Sequence, residues 1–245
     1  MAHKPTDASA LELTLQNITA GYDGAPVVQD LSLTIKQGQR VGLIGRNGAG
    51  KTTTLACAMG LTELQGGSLR LGDQSIGRWA THQRARAGLG YVPQSRDIFP
   101  SLSVEENLLS ALQGRPARAA LDEAYALFPR LKERRTNGGN QLSGGEQQML
   151  SVARALVGKP RILLLDEPLE GLAPKVRDEL MEAIDHLVAQ TGVGCLLVEQ
   201  HVDVVLDFAD HVVVLERGRP AFSGSAQALR ADSALLDRTI GLEKV

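Results

Sequence analysis

Gly45-Arg-Asn-Gly-Ala-Gly-Lys51-Thr52-Thr53 decides how this chain folds. Its first eight residues fit G-x-x-x-x-G-K-[ST]. Before it stands Val41-Gly-Leu-Ile44, an apolar run typical of a buried central strand; after it a helix is expected from near Gly50 to around Gly60. Glycines let backbone N–H groups turn inward and approach phosphate oxygens with no Cβ in the way. The helix N-terminus adds the positive end of its dipole. Lys51 supplies a mobile cation for the outer phosphate oxygens, and the Thr52 hydroxyl can complete a Mg²⁺ shell. Gly45, Arg46, Asn47, Gly48, Ala49, Gly50, Lys51, Thr52 and Thr53 are thus the first candidate binding residues.

Outward from the loop, Leu11, Leu13 and Leu15, then Leu31, Leu33 and Ile35, are apolar at period two, as half-buried strands require. Gly21-Tyr22-Asp23-Gly24 reads as the turn between them, and short strands near 68–71 and 89–92 continue this β region. From about Ser95 to Val157 the character is helical. Ser103-Val-Glu-Glu106 is a capping box for a helix through Leu112, and Pro116 opens another with Ala120, Ala124, Leu127 and Phe128 on one face. Beyond it come the runs Ile162–Leu165, Cys195–Val198 and Val212–Leu215, separated by a helix from Pro174 to about Gln190 and a short one from His201. Strands alternating with helices predict an α/β fold whose parallel sheet is covered on both faces, here with a helical insertion.

Composition narrows the function classes. With 245 residues the chain is long enough for an independent core. Its 26 basic and 28 acidic residues leave a net charge of -2, which excludes binding driven by bulk positive charge. Aromatics at 3% are too few for recognition of single strands by stacking. The Lys132-Glu-Arg134-Arg135 cluster reads as a solvated helix end, not a nucleic-acid patch. Cys57 and Cys195 lie in apolar stretches and read as buried thiols of a reducing compartment. No apolar run approaches the roughly 18–20 residues of a membrane span. The opening MAHKPTDASA lacks the apolar region of a secretory signal.

Two further segments carry chemistry. Arg161-Ile-Leu-Leu-Leu-Asp166-Glu167 places two carboxylates at the carboxyl end of a buried strand, the edge where open α/β sheets bind ligands. Asp166 is assigned to Mg²⁺ and Glu167 to the general base for an attacking water. Leu142-Ser-Gly-Gly-Glu146 joins a capping box, Ser143 to Glu146, with a helix whose apolar face is Met149, Leu150, Val152, Ala153, Leu156 and Val157. Glycine in a first turn costs about 1 kcal/mol relative to alanine, so Gly144 and Gly145 need a reason. Bare backbone N–H groups for a second anion supply one, which points to nucleotide held between two molecules.

Together these segments resemble the ATP-binding cassette (ABC) ATPases over nearly the whole chain. The family signature LSGGQ is matched by Leu142-Ser-Gly-Gly-Glu146, its single glutamine by Gln94 of Tyr91-Val-Pro-Gln94, and its adenine-stacking aromatic by Tyr22. The resemblance implies the ABC ATPase fold as one domain over 1–245. That fold has a P-loop NTPase core with mainly parallel sheet and an N-terminal antiparallel β subdomain (about 11–94 and 158–245), and an α-helical insertion (about 95–157) with the signature. It also implies ATP with Mg²⁺, the ion held by Thr52, Gln94 and Asp166, and a head-to-tail dimer. In that dimer Ser143, Gly144 and Gly145 of one cassette face the phosphate loop of the other. Expected partners are two integral-membrane permease subunits, a second cassette (itself or a sister subunit) and, indirectly, an external solute-binding protein, with no nucleic acid. The expected location is cytoplasmic, peripheral on the inner face of the cell membrane. Phe99 and Leu102 of Asp97-Ile-Phe-Pro-Ser-Leu102 lie where such cassettes receive their permease; packing into the insertion's own core is the alternative.

More narrowly, Asp166-Glu-Pro-Leu-Glu-Gly-Leu-Ala-Pro174 and Val198-Glu-Gln-His201 look like cassettes of branched-chain amino acid importers and the similar urea and short-chain amide importers. A lipid-export or cluster-assembly cassette is the alternative of matching length. Two departures stand out. Where many cassettes carry Ser-Ala-Leu-Asp, this chain has Glu170-Gly171-Leu172-Ala173, without the aspartate that helps couple two sites. Where many carry a histidine for the γ-phosphate, the register gives Gln200, with His201 one residue later. Glutamine can donate one hydrogen bond but cannot become a cation. Gln200 is the favoured γ-phosphate contact, and His201 remains the alternative.

Overall fold

The computed structural model describes residues 11–112, 114–232 and 234–236. The opening MAHKPTDASA and the two ends of the expected 1–245 domain lie outside them. In chain order the elements are β1 (Glu12–Tyr22), β2 (Ala25–Lys36), β3 (Arg40–Gly45), α1 (Lys51–Met59), β4 (Glu63–Leu71), β5 (Gln74–Ser75), α2 (Thr81–Arg86) and β6 (Leu89–Val92). The helical segment holds α3 (Val104–Leu109), α4 (Ala117–Leu127), α5 (Pro129–Glu133) and α6 (Gly144–Val157). Then follow β7 (Ile162–Asp166), α7 (Pro174–Thr191), β8 (Gly194–Glu199), α8 (Val202–Phe208), β9 (His211–Glu216), β10 (Arg219–Ser225) and α9 (Ala226–Ala231).

Two sheets result. The first is antiparallel, in the order β2-β1-β4-β5; the second is β10-β9-β3-β8-β7-β6, parallel except for its β10 edge. Alternate side chains of a strand leave opposite faces, so a strand covered on both sides needs an unbroken apolar run. Leu163, Leu165, Cys195, Leu197, Val212 and Val214 enter a core shared with α4, α6, α7 and α8. Ile162, Leu164, Leu196, Val198, Val213 and Leu215 enter another, shared with α1 and the first sheet. Cys57 and Cys195 are buried free thiols; burial raises both, Cys57 to about 11. The α/β class and the mixed architecture stand as expected.

Local boundaries shift for identifiable reasons. The β1–β2 connection is the two-residue turn Asp23-Gly24, both left-handed (φ 51° and 77°), a conformation that suits the hairpin twist. Tyr22 is therefore the last residue of a strand. β4 begins at Glu63 rather than near 68, because Gly66-Gly67 accompanies a register shift against β1 within one strand. α3 stops at Leu109, short of Leu112: the Ser110 hydroxyl donates to the Asn107 carbonyl (2.6 Å), in competition with the helix ladder.

Candidate nucleotide site

The carboxyl ends of β3, β7 and β8, adjacent in the second sheet, bring three segments to one edge. Gly45 ends β3 and Lys51 begins α1, with Gly50 as N-cap at φ 103° and no side chain capping the first turn. Helix first-turn N–H groups have no partner within the helix, so those of α1 are directed at the loop. Arg46, Asn47, Gly48 and Thr52 are exposed, while Ala49, Gly50 and Thr53 are buried; the Ala49 N–H donates to the Arg46 carbonyl (3.0 Å). Lys51 turns back beneath the loop. Its Nζ donates to the carbonyls of Gly45 (2.8 Å) and Arg46 (3.3 Å) and pairs with Glu167 Oε1 at 3.1 Å, both side chains being about 95% buried.

Asp166, the fully buried last residue of β7, accepts from the Thr52 hydroxyl (3.2 Å) and the Tyr91 hydroxyl (3.3 Å). Burial raises its pKa; the two hydroxyls and the Lys51 charge pull it back, and the Glu167 charge pushes it up. Glu167 sits in the left-handed region at φ 46°, a conformation costing a non-glycine residue about 1–3 kcal/mol. Its N–H donates to the Val198 carbonyl (2.9 Å), and its Oε2 accepts from Gln200 Nε2 at 2.6 Å. His201, by contrast, is the exposed N-cap residue of α8, its side chain making no capping bond.

Lys51–Glu167–Gln200 and Thr52–Asp166 are thus two bonded groups that the Lys51-Thr52 and Asp166-Glu167 peptide links unite into one cluster. Gln94 is joined to it indirectly: its Nε2 donates to Glu170 Oε2 (2.6 Å) on the loop after the acids, which leaves its Oε1 free to accept or ligate. With the Thr52 hydroxyl and the Asp166 carboxylate, that makes an all-oxygen donor set. Mg²⁺ prefers such donors and usually keeps waters and substrate phosphates as its other ligands. The three oxygens fit an ion whose remaining ligands are waters and a phosphate; among the described residues no three His, Cys, Asp or Glu gather as a metal centre.

Tyr22 and the Ser143 segment stand apart, with no hydrogen bond to the cluster among the described residues. Tyr22 is 48% exposed at the hairpin end. At α6, Ser143 Oγ accepts from the Glu146 N–H, and Glu146 Oε2 accepts from the Ser143 N–H (2.8 Å) and hydroxyl (2.9 Å). The glycines have packing reasons that the sequence did not disclose. A Cβ on Gly145 would lie 2.7 Å from Val176 Cγ1, and one on Gly144 would lie 3.3 Å from the Arg96 guanidinium. Arg96 in turn donates to Gln147 and Gln148, and its carbonyl accepts from Ser151 (2.6 Å). Phe99 is 48% exposed, with the Arg154 guanidinium 5.1 Å from its ring centre, whereas Leu102 is half-buried.

Sequence reasoning missed Tyr91, Glu170 as the partner of Gln94, and Glu199. Glu199 is buried at the end of β8 and accepts from the Leu169 N–H (2.9 Å) and the Gln200 N–H (3.2 Å). The usable signal was a carboxylate closing an apolar run, Cys195-Leu-Leu-Val-Glu199.

A family model described as ABC transporter matches residues 28–170, more than half the chain and the span of the phosphate loop, Gln94, the Ser143 segment and the acid pair. This chain belongs to the ABC transporter family. Among its relatives is BraG of Pseudomonas aeruginosa, a high-affinity branched-chain amino acid transport ATP-binding protein, 37% identical over 94% of this chain and 99% of BraG. LptB of Escherichia coli K12, a lipopolysaccharide export system ATP-binding protein, is 36% identical over 90% of this chain and 93% of LptB. The solved ATP-binding subunit of an ABC transporter superposes with a TM-score of 0.79 at 26% identity, covering 95% of each chain. ABC transporter ATPases bind ATP. No helix among the described residues is long and apolar enough to cross a membrane.

Proposed function

We propose that this chain is the ATP-hydrolysing subunit of an ABC importer for branched-chain amino acids. The observation that carries the hydrolytic part is the buried Lys51–Glu167 pair beneath the phosphate loop, with the exposed Gln200 bonded to it. ATP phosphates accept from the first-turn N–H groups of α1, and Lys51 shifts from Glu167 towards the β- and γ-oxygens. Thr52, Gln94 and Asp166 would hold Mg²⁺, which supplies charge neutralisation on the phosphates when bound. Glu167, released from Lys51, takes a proton from the attacking water, and the Gln200 amide donates to the γ-phosphate. Tyr22 stacks on the adenine. Ser143, Gly144 and Gly145 of a second cassette close the other side, consistent with their separation from the cluster within one chain.

Family membership supports coupling to transport. The importer reading rests on the Glu170-Gly-Leu-Ala-Pro174 loop and the similarity to BraG. Two membrane permeases dock near Phe99 from the membrane side, and the cassette sits on the inner face of the membrane. Lipid export is the second reading, favoured by the nearly equal similarity to LptB. Deleting the gene and measuring uptake of labelled leucine, isoleucine and valine separates them. The importer reading expects uptake to be lost and restored by the intact chain; full uptake in the deletion strain contradicts it.

A further inference from the structure

We propose that Glu199 is a positioning residue that fixes Glu167 and Gln200 relative to each other by holding the backbone of both segments that carry them. The proposal rests on the roles given to those two residues above. Glu199 is 2% exposed. Burying a carboxylate is costly unless it is hydrogen-bonded, and a leucine here would simply continue the apolar run of β8. The chain instead spends both oxygens of this carboxylate on backbone N–H groups: Oε1 on Leu169, two residues beyond Glu167, and Oε2 on Gln200.

Two more bonds cross the same gap, the Glu167 N–H to the Val198 carbonyl and the Gln200 amide to the Glu167 carboxylate. Three bonds therefore join the loop after β7 to the end of β8, the Glu199–Leu169 bond among them, while the second Glu199 oxygen holds the N–H of its own neighbour Gln200. That is where the chain needs reinforcement. Glu167 has a left-handed backbone, and a strained residue persists only where its surroundings over-determine it. Lys51 and Gln200 fix the Glu167 carboxylate from the side; Glu199 and Val198 fix the backbone from below.

Ionisation of Glu199 matters to this stitch, because the protonated acid loses one of its two acceptors. Burial pushes its carboxyl up to about 7; the Leu169 and Gln200 N–H groups pull it down, the Glu167 charge raises it, and Arg177 lowers it. Acidification below about 7 thus weakens one bond of the pair in the wild type. Glutamine at 199 has the same shape, keeps one acceptor oxygen at every pH, and cannot titrate there.

The test uses the full chain with MgATP. Glu199→Gln and Glu199→Ala are compared with wild type and with the reference variants Glu167→Gln and Gln200→Ala. Titration with a fluorescent ATP analogue counts binding-competent sites, and turnover is expressed per such site. The expected result is a kcat about 10- to 100-fold lower in both Glu199 variants, the cost of a small misplacement of reacting groups, with Kd for ATP little changed. The acid-side fall of kcat near pH 7 is expected in wild type and not in Glu199→Gln. Wild-type kcat per site in Glu199→Gln, beside an inactive Glu167→Gln, overturns the positioning role alone. A loss confined to Kd, or to the number of folded sites, overturns it too. Full turnover in both reference variants overturns the underlying reading instead. If Glu199→Ala does not fold, the isosteric Glu199→Gln decides.

Discussion

Gln200 and His201 pose the sharpest question at the scale of single residues, because a one-residue error in register exchanges their roles. The geometry separates them: the Gln200 amide lies 2.6 Å from Glu167, while His201 stands exposed at the start of α8. Gln200→Ala is expected to slow steady-state hydrolysis about 10-fold or more, the usual scale for a donor to developing transition-state charge, and His201→Ala to leave it within about twofold. The reverse ranking contradicts the register. At this scale the phosphate loop was legible because its spacing is local. Tyr91 and Glu199 were not, since their significance lies in partners 75 residues away (Asp166) and 30 residues away (Leu169). Glu170 was read as part of the importer-like loop and as a departure, not as a partner of Gln94, and its bond to Gln94 spans 76 residues.

At the scale of elements, the start of α6 shows how one local pattern serves two demands. Ser143 and Glu146 were legible as a capping box, and the structure forms it. Gly144 and Gly145 were assigned to anion binding alone, but their close approach to Arg96 and Val176 is a sufficient packing reason as well. Gly145→Ala sets a Cβ against a branched side chain that has little freedom to move. Despite alanine's advantage in helices of about 1 kcal/mol, a net loss of about 1–2 kcal/mol in unfolding free energy is expected. In a Val176→Ala background the loss should shrink, as coupled neighbours require. Equal losses in both backgrounds, measured by denaturant unfolding, contradict the packing account. The same competition explains the misplaced boundaries: Gly66-Gly67 reads as a break but lies within β4, and Ser110 ends α3 by a side-chain bond that periodicity cannot reveal.

The whole molecule is organised so that every chemical group of the cluster leaves one edge of one sheet. The strands that end there were legible as unbroken apolar runs, since each must feed two cores at once. The short β5, α2, α5, β10 and α9 were not, because none carries an unbroken apolar run like those of the central strands. The Ser143 tip belongs to the helical segment and, among the described residues, has no bond to the cluster.

The central claim is that the cluster at the phosphate loop hydrolyses ATP, with Glu167 as the base. Phosphate release from saturating MgATP by Glu167→Gln, set beside ATP affinity measured on the same preparation, tests it most directly. The account predicts affinity close to wild type and release slower by about 100-fold or more. Release at the wild-type rate, with ATP bound as tightly, contradicts it.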